Sequence, residues 1–226
     1  MQRPAHPDAE SPKPGGSKIT GILLAAGQSR RFGKHKLLVE IGDRPLIYYS
    51  LKSCIDSTLS SVLLVLGTQS VKIEEAVAQF FIETGKINII VNDECERGMM
   101  SSLKMGIRSL DADCRGVMVL LADMPLVTPA IIDHLIEVFE ETGQIVIPEC
   151  QGGMYHPRIL PANILPEFLQ LKDSEKGTKV LEEHKEKIVR VTTGNRIDYT
   201  DIDHVDDLES ITVLLKDRAD HGRSLL

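Results

Sequence analysis

The sequence has no tryptophan, and phenylalanine and tyrosine together make up only 4% of its 226 residues. A surface that binds single-stranded nucleic acid needs several aromatic rings on which bases can stack. Basic residues are also in the minority, with 26 Lys and Arg against 33 Asp and Glu and a formal net charge of −7. These two shortages argue against nucleic acid and against an anionic membrane as partners. Any polyanion must be bound locally, by a few placed cations.

Cysteines and long apolar runs are also scarce. Cys54, Cys95, Cys114 and Cys150 are widely separated, a spacing that suits neither a zinc site nor a dense disulfide framework. We therefore expect buried, reduced thiols. No apolar run reaches the ~18 residues of a transmembrane helix, and the N-terminus has no signal-peptide core. The expected location is the cytoplasm.

Three parts are predicted along the chain. Residues 1–17 are rich in proline and glycine, have little to bury, and are expected to form a disordered leader. Residues 18–215 are predicted to form a single domain, because no linker or internal repeat interrupts them. Residues 216–226 are expected to be a frayed tail.

Within the predicted domain, short apolar runs alternate with longer amphipathic segments. Buried strands are predicted at 19–25, 61–67, 87–91, 116–122 and 144–148. Helices are predicted at about 45–56, 69–81, 100–110 and 128–142, the last with Thr128 as N-cap and Pro129 at its first position. Weaker patterns follow: strands at 156–160 and 187–193, and helices at 161–170, 174–184 and 205–215. Such alternation indicates an α/β fold, a three-layer α/β/α arrangement around a mostly parallel, Rossmann-like sheet.

In a sheet of this kind, ligands bind at the carboxyl ends of the strands, so the loops after residues 24, 91 and 121 are the informative ones. The first, "ILLAAGQSRRFGKHK" (22–36), is not a P-loop, because Gly27 and Gly33 are one residue too far apart and His35 stands where Ser or Thr would hold magnesium. A dinucleotide fingerprint is also absent. A solvated basic loop remains an alternative. The small residues that end the strand, followed by Arg31 and Lys36, nevertheless suit a triphosphate.

The same stretch resembles the signature Leu-Ala-Ala-Gly-x-Ser-x-Arg-x-Gly-x-x-Lys of the nucleotidyltransferases that act on molybdenum cofactor, a MobA-like family. The matching positions are Leu24, Ala25, Ala26, Gly27, Ser29, Arg31, Gly33 and Lys36. Ala-Ala-Gly is similar to the cytidylyltransferase branch of that family, whereas the guanylyltransferase branch typically shows Ala-Gly-Gly. The resemblance extends over roughly residues 18–215.

Three further segments are similar to family motifs. "RGMMSSLKMGI" (97–107) would place Gly98 and Ser102 at the nucleotide, and "LLADMP" (120–125) would supply Asp123 as a magnesium ligand. "DIDHVDDL" (201–208) would bring Asp203 or Asp201 as a second ligand. Each segment alone has an ordinary structural explanation, as a turn, a helix start or a solvated acidic face. It is their combination that favours function.

The acceptor side departs from the family pattern. "GGMYHP" keeps His156 but has Tyr155 where a glycine is usual, and "SEKGTK" has Glu175 and Lys179 in place of Asp and Arg. His156, Glu175 and Lys179 are the weaker candidates for acceptor binding, and a structural role for His156 remains open.

The resemblance implies a Mg²⁺-dependent enzyme that transfers CMP from CTP to the phosphate of a pterin-type cofactor and releases pyrophosphate. Arg31, Lys36 and Asp123 would be its catalytic residues. Leu24, Ala25, Ala26, Gly27, Ser29, Gly98 and Ser102 would bind the nucleotide. A molybdoenzyme or its chaperone is the implied protein partner. The alternatives are GTP as donor, a sugar or alcohol phosphate as acceptor, or a non-catalytic nucleotide-binding module that delivers cofactor.

Overall fold

The computed structural model describes residues 18–27, 36–68, 70–81 and 85–223, so the expected leader and the segment with Ser29 and Arg31 lie outside the described residues. The strands are β1 (Ile19–Ala25), β2 (Glu40–Ile41), β3 (Arg44–Pro45), β4 (Ser61–Leu66), β5 (Ile87–Val91), β6 (Gly116–Leu121), β7 (Ile145–Cys150), β8 (Gly153–Met154), β9 (Arg158–Pro161) and β10 (Ile188–Thr192). The α-helices are α1 (Leu46–Asp56), α2 (Val71–Phe81), α3 (Met99–Arg108), α4 (Pro129–Thr142), α5 (Leu165–Gln170), α6 (Thr178–Glu183) and α7 (Val205–Arg223).

One sheet organises the molecule, with strand order β10-β7-β9-β6-β1-β4-β5 and β8 paired to β7. β1 lies at its centre, parallel to both β4 and β6. Only β9 among the strands of that order runs antiparallel to its neighbours β6 and β7. The predicted α/β class with a mostly parallel sheet is confirmed.

The two faces of the sheet carry separate apolar cores. Side chains alternate along a strand, and in β1 Leu23 packs into one core while Ile22 and Leu24 pack into the other. The first core includes residues of α1 and α4, and the second includes residues of α3 and α5. Helices on both faces therefore complete the predicted three-layer arrangement.

The predicted start of α4 is confirmed in detail. Thr128 is its N-cap, and the Thr128 hydroxyl accepts a hydrogen bond from the Ile131 amide at 3.3 Å. The helix ends at Thr142 and is capped by Gly143, whose φ of +63° is the left-handed conformation that glycine adopts readily. This helix buries its apolar face on the sheet beside the site described below.

Several elements differ from the sequence prediction. The strands β2, β3 and β8 are two residues each and too short to show a period. The helix expected over 174–184 is confined to α6, since its first half forms a turn in which the Glu175 amide donates to the Lys172 carbonyl at 2.9 Å. The closing helix continues to Arg223, well beyond the predicted end. Among the described residues, no helix has the length and apolar character needed to span a membrane.

Candidate active site

A cavity of about 600 Å³ opens at the carboxyl ends of β1 and β6. Parallel pairing puts these ends side by side, and the Ala122 amide donates to the Leu24 carbonyl at 3.1 Å. The cavity brings together ten residues selected from the sequence: Leu24, Ala25, Ala26, Gly27, Lys36, Gly98, Ser102, Asp123, Asp201 and Asp203. Four segments that are distant in sequence thus meet at one edge of the sheet.

The end of β1 leaves open space beside the backbone. Leu24 and Ala25 are buried, whereas Gly27 is exposed and has no atom within 4 Å of the position that a Cβ would occupy. Small residues at this point let a flat or anionic ligand approach the chain. The predicted roles of Ser29 and Arg31 remain predictions, because these residues lie outside the described part.

Lys36 carries the central cation of the cavity. Its ammonium donates to Asp123 Oδ2 at 2.8 Å and lies 3.5 Å from Asp203 Oδ1. Only 11% of the Lys36 side chain is exposed, so this contact is far less screened than a surface ion pair. The arrangement places one positive charge between two carboxylates.

The backbone of Asp123 holds the segment 201–203 in place. Its carbonyl accepts a hydrogen bond from the Ile202 amide at 3.0 Å, and Ile202 is fully buried. Asp201 and Asp203 flank Ile202 and both line the cavity, as alternate residues of an extended segment can.

Burial, the nearby charge of Asp203 and that of Asp123 raise the pKa of the Asp201 carboxyl, while Lys36 opposes this effect. Carboxylate oxygens are the ligands preferred by Mg²⁺ and Mn²⁺, so the donor set of Asp123, Asp203 and Asp201 fits a hard divalent cation. The described residues contain no preassembled group of three or more His, Cys, Asp or Glu side chains in metal-binding positions.

The loop after β5 also lines this cavity, through residues that include Gly98. Gly98, with a φ of +110°, turns the chain into α3, a conformation that L side chains rarely adopt. Asn92, which is not among the site residues predicted from the sequence, holds this loop through its side-chain hydrogen bonds. Its amide donates to the hydroxyls of Ser101 and Ser102, at 3.0 Å in each case. The signal available in the sequence was a polar residue directly after an apolar strand.

A second cavity of about 450 Å³ adjoins the first, and Leu24 and Met99 line both. Its walls include His156 and Glu175, two of the three candidates for acceptor binding. Lys179, the third, is not among the residues that line it, but its ammonium donates to Glu175 Oε1 at 2.9 Å. Apolar side chains supply much of the remaining wall: Met100, Leu103, Leu160, Phe168 and Leu181.

His156 is held neutral in this second cavity. Burial, and secondarily the charge of Arg158, lower the pKa of the imidazole to about 4. Its Nδ1 lies 3.2 Å from the Val119 carbonyl, which can only accept, so Nδ1 carries the proton. Nε2 is then left as an unprotonated acceptor.

Lys104 of α3 is a second residue of the site that was not predicted from the sequence. It is buried, and its ammonium donates to the Leu171 carbonyl and, at 2.8 Å, to Asp173 Oδ1. These bonds tie the 171–177 segment, which contributes several residues to the second cavity, to α3, whose residues line both cavities. A lysine within a helix gives no sequence signal for such a role.

Comparison with known proteins gives a consistent family. Residues 21–188 match the family model described as "MobA-like NTP transferase domain". A probable molybdenum cofactor guanylyltransferase of Thermococcus sibiricus is 28% identical over 167 residues, 72% of this chain and 78% of the relative. A 2-C-methyl-D-erythritol 4-phosphate cytidylyltransferase of Dictyoglomus thermophilum is 30% identical over 128 residues, 56% of this chain and 54% of the relative.

The fold also matches solved structures. The manganese complex of Rv0371c from Mycobacterium tuberculosis superposes with a TM-score of 0.65 and 20% identity, covering 86% of this chain and 97% of that chain. At this identity the likeness concerns the fold.

Proposed function

The chain belongs to the family of MobA-like NTP transferase domains and is a nucleotidyltransferase, and we propose that it transfers a nucleoside monophosphate from a nucleoside triphosphate to the phosphate of a molybdenum-cofactor-type pterin. The observation that carries this proposal is the contact of Lys36 with Asp123 and Asp203 in a cavity that adjoins a second one. A donor and an acceptor can then bind side by side. The predicted alternative of a non-catalytic delivery module is not adopted, because the Thermococcus and Dictyoglomus relatives are named transferases.

The reaction joins the two ligands directly. An oxygen of the acceptor phosphate attacks the α-phosphorus, the bond from that phosphorus to the bridging oxygen breaks, and pyrophosphate leaves with the electron pair. A phosphate is already anionic at neutral pH, so no strong general base is required. The protein contributes positioning and charge neutralisation.

The acidic cluster fits a divalent cation. Asp123, with Asp203 or Asp201, would hold Mg²⁺, which when bound would neutralise charge on the α-phosphate oxygens. Lys36 and Arg31 would bind the β- and γ-phosphates and stabilise departing pyrophosphate. Because a manganese complex of a protein with this fold exists, Mn²⁺ is included beside Mg²⁺ in the test below.

GTP is the favoured donor. The prediction of CTP from Ala25-Ala26-Gly27 is not confirmed, since the Thermococcus relative is named a guanylyltransferase and matches more of the chain than the cytidylyltransferase does. CTP remains the second candidate, because Ala26 has a side chain where the guanylyltransferase signature has glycine.

The second cavity is the proposed acceptor site. Its apolar side chains suit a flat ring system, and the Nε2 acceptor of His156 and the charges of Glu175 and Arg158 supply polar contacts. Lys179 would act through Glu175 rather than by direct contact. A molybdoenzyme or its chaperone would then receive the product.

Pyrophosphate release tests the proposal. Purified protein is given each of the four NTPs with Mg²⁺ or Mn²⁺, with and without molybdenum cofactor. We expect release that needs the cofactor and favours GTP. An Asp123→Ala variant should be inactive, whereas Asp113→Ala, a change at an exposed surface pair, should retain full activity. If none of the four NTPs gave pyrophosphate release, the proposal would be overturned. Release with CTP alone would establish CTP, the second candidate, as the donor.

A further inference from the structure

We propose that Asn92 is a positioning residue that fixes the direction of the Ser102 hydroxyl, so that Ser102 donates its proton to an acceptor atom of the bound nucleotide. This inference rests on the proposed function, because it concerns the cavity assigned there to the NTP. It adds a residue that the family motifs quoted above do not include.

The position of Asn92 is strongly determined. It follows β5 directly, only 1% of it is exposed, and its backbone amide extends the sheet by donating to the Leu66 carbonyl at 2.8 Å. Its side-chain Oδ1 accepts from the Glu94 amide at 3.0 Å. Since a backbone N–H can only donate, the oxygen and the nitrogen of the Asn92 amide cannot be exchanged.

Both protons on Asn92 Nδ2 are therefore committed to serine hydroxyls. One goes to Ser101 Oγ and the other to Ser102 Oγ, at 3.0 Å each. The Ser101 hydroxyl in turn donates a hydrogen bond to the loop backbone, where the Gly98 carbonyl lies at 2.9 Å and the Glu94 carbonyl at 3.0 Å. The Ser101 hydroxyl therefore both accepts and donates a hydrogen bond within the protein.

Ser102 differs from Ser101 in the use of its proton. Its hydroxyl accepts from Asn92, and within the described part of the chain it makes no further hydrogen bond. Ser102 lines the nucleotide cavity. The Asn92 donor occupies one of the two lone pairs of the Ser102 oxygen, so the O–H of Ser102 is available to donate to a further partner, and here that partner is a nucleotide acceptor, a base carbonyl or a ribose oxygen.

Asn92→Asp is the decisive variant because it keeps the shape and reverses the chemistry. A carboxylate oxygen in place of Nδ2 can only accept, so Ser102 would donate to residue 92 and turn a lone pair toward the nucleotide. We measure the equilibrium Kd and the KM of GTP and CTP for wild type, Asn92→Asp, Ser102→Ala and the double variant. Asn88→Asp, at an exposed position of β5, is the matched control for the added charge.

Each single variant should weaken NTP binding about tenfold, the loss of one hydrogen bond in a desolvated site, with kcat at saturation changed far less. The double variant should be no weaker than Ser102→Ala, because without the hydroxyl the residue at 92 has nothing left to direct. Losses that add in the double variant would mean that Asn92 acts only on loop shape, and would overturn the proposal. Normal affinity in Asn92→Asp would do the same.

Two observations keep the result interpretable. Thermal unfolding reports whether the buried carboxylate of Asn92→Asp prevents folding; if it does, Asn92→Ala replaces it in the same cycle with the same expectation of non-additivity. A wild-type protein that bound no NTP would be a failure of the proposed function itself. A wild type that binds NTP but shows additive variants would be a failure of the Asn92 proposal alone.

Discussion

The ammonium of Lys36 lies 2.8 Å from the carboxylate of Asp123, although 87 positions separate the two residues in sequence. The same ammonium lies 3.5 Å from Asp203. A divalent cation bound by these carboxylates would face a positive charge already placed among them. Lys36 thus offsets the repulsion between the two carboxylates and disfavours the binding of a divalent cation alone. A cation that binds together with a triphosphate is favoured over the cation alone, because the phosphates compensate the charge of Lys36.

Replacing Lys36 should therefore separate metal binding from nucleotide binding. In Lys36→Met without nucleotide, we expect Mn²⁺ to bind about tenfold more tightly, because the competing charge is gone. The Kd of NTP should rise at the same time, because a phosphate contact is lost. Electron paramagnetic resonance of free Mn²⁺ measures the first effect and calorimetry the second. Lys18→Met, which removes an exposed pair with Asp113, is the control, and unchanged or weaker Mn²⁺ binding in Lys36→Met would contradict the prediction.

The two C-terminal aspartates should differ in importance. Asp203 approaches the Lys36 ammonium directly, whereas burial disfavours the charged form of Asp201. We expect Asp203→Ala to raise the Mg²⁺ concentration needed for half-maximal activity by about tenfold or more, and Asp201→Ala to raise it by less. A metal titration of initial rates measures both, with Asp113→Ala as the matched surface change. A larger effect of Asp201→Ala would assign the second ligand to that residue.

The sequence was sufficient to predict most of the sheet and the residues at its carboxyl edge. The strands are apolar runs bounded by polar residues, and parallel pairing brings their ends together wherever the chain alternates strand and helix. Lys36, Asp123 and Asp203 could be selected for that reason and because their motifs resemble a family. The ion pairs of Lys36 with Asp123 and Asp203 could not be predicted, because the position of Asp203 depends on the Ile202 amide reaching the Asp123 carbonyl.

Other parts of the site could not be predicted from a pattern in the sequence. Asn92 and Lys104 act through hydrogen bonds to partners set by the fold, Ser102 in one case and the Leu171 carbonyl in the other. Asn92 lies outside the motifs quoted from the sequence, and Lys104 lies within the segment 97–107 but at a position that the resemblance gives no role. Similarly, the antiparallel strand β9 follows from where the chain returns after β8, since a four-residue strand has the same apolar character in either direction.

His156 should make stability depend on pH. Its folded pKa is about 4, against an ordinary value near 6.5, so between these values the unfolded chain binds more protons. Stability is thus fully present above pH ~6.5 and falls as the pH drops toward 4, by up to about 3 kcal/mol. In His156→Gln this part of the pH dependence should disappear. Urea unfolding from pH 7 to 4.5 measures it, and His134→Gln, at an exposed helix position, should keep the wild-type slope. Equal slopes in wild type and His156→Gln would contradict the neutral assignment.

Replacing Lys104 should weaken ligand binding in the second cavity and leave binding in the first cavity nearly unchanged. Its ammonium holds the Leu171 carbonyl and Asp173, and Asp173 also lies 3.7 Å from Arg97. In Lys104→Met the methylene packing is largely kept while both hydrogen bonds are lost, which leaves the carbonyl and the carboxylate without their buried donor. We expect the free energy of unfolding to fall by about 2 kcal/mol, and the KM of the acceptor to rise several-fold while the KM of NTP changes little. Urea unfolding and initial rates with each substrate varied in turn measure these effects.

The control for Lys104 is Lys52→Met, which removes an exposed i, i+4 pair with Asp56 on α1 and should cost less than about 0.5 kcal/mol. The decisive comparison is between the two KM values, because a general loss of stability would disturb both cavities alike. If the KM of NTP rose as much as that of the acceptor, α3 rather than the 171–177 segment would be the element that Lys104 holds. A selective rise for the acceptor would show that this segment forms the acceptor wall, held from behind by a lysine that contacts neither substrate.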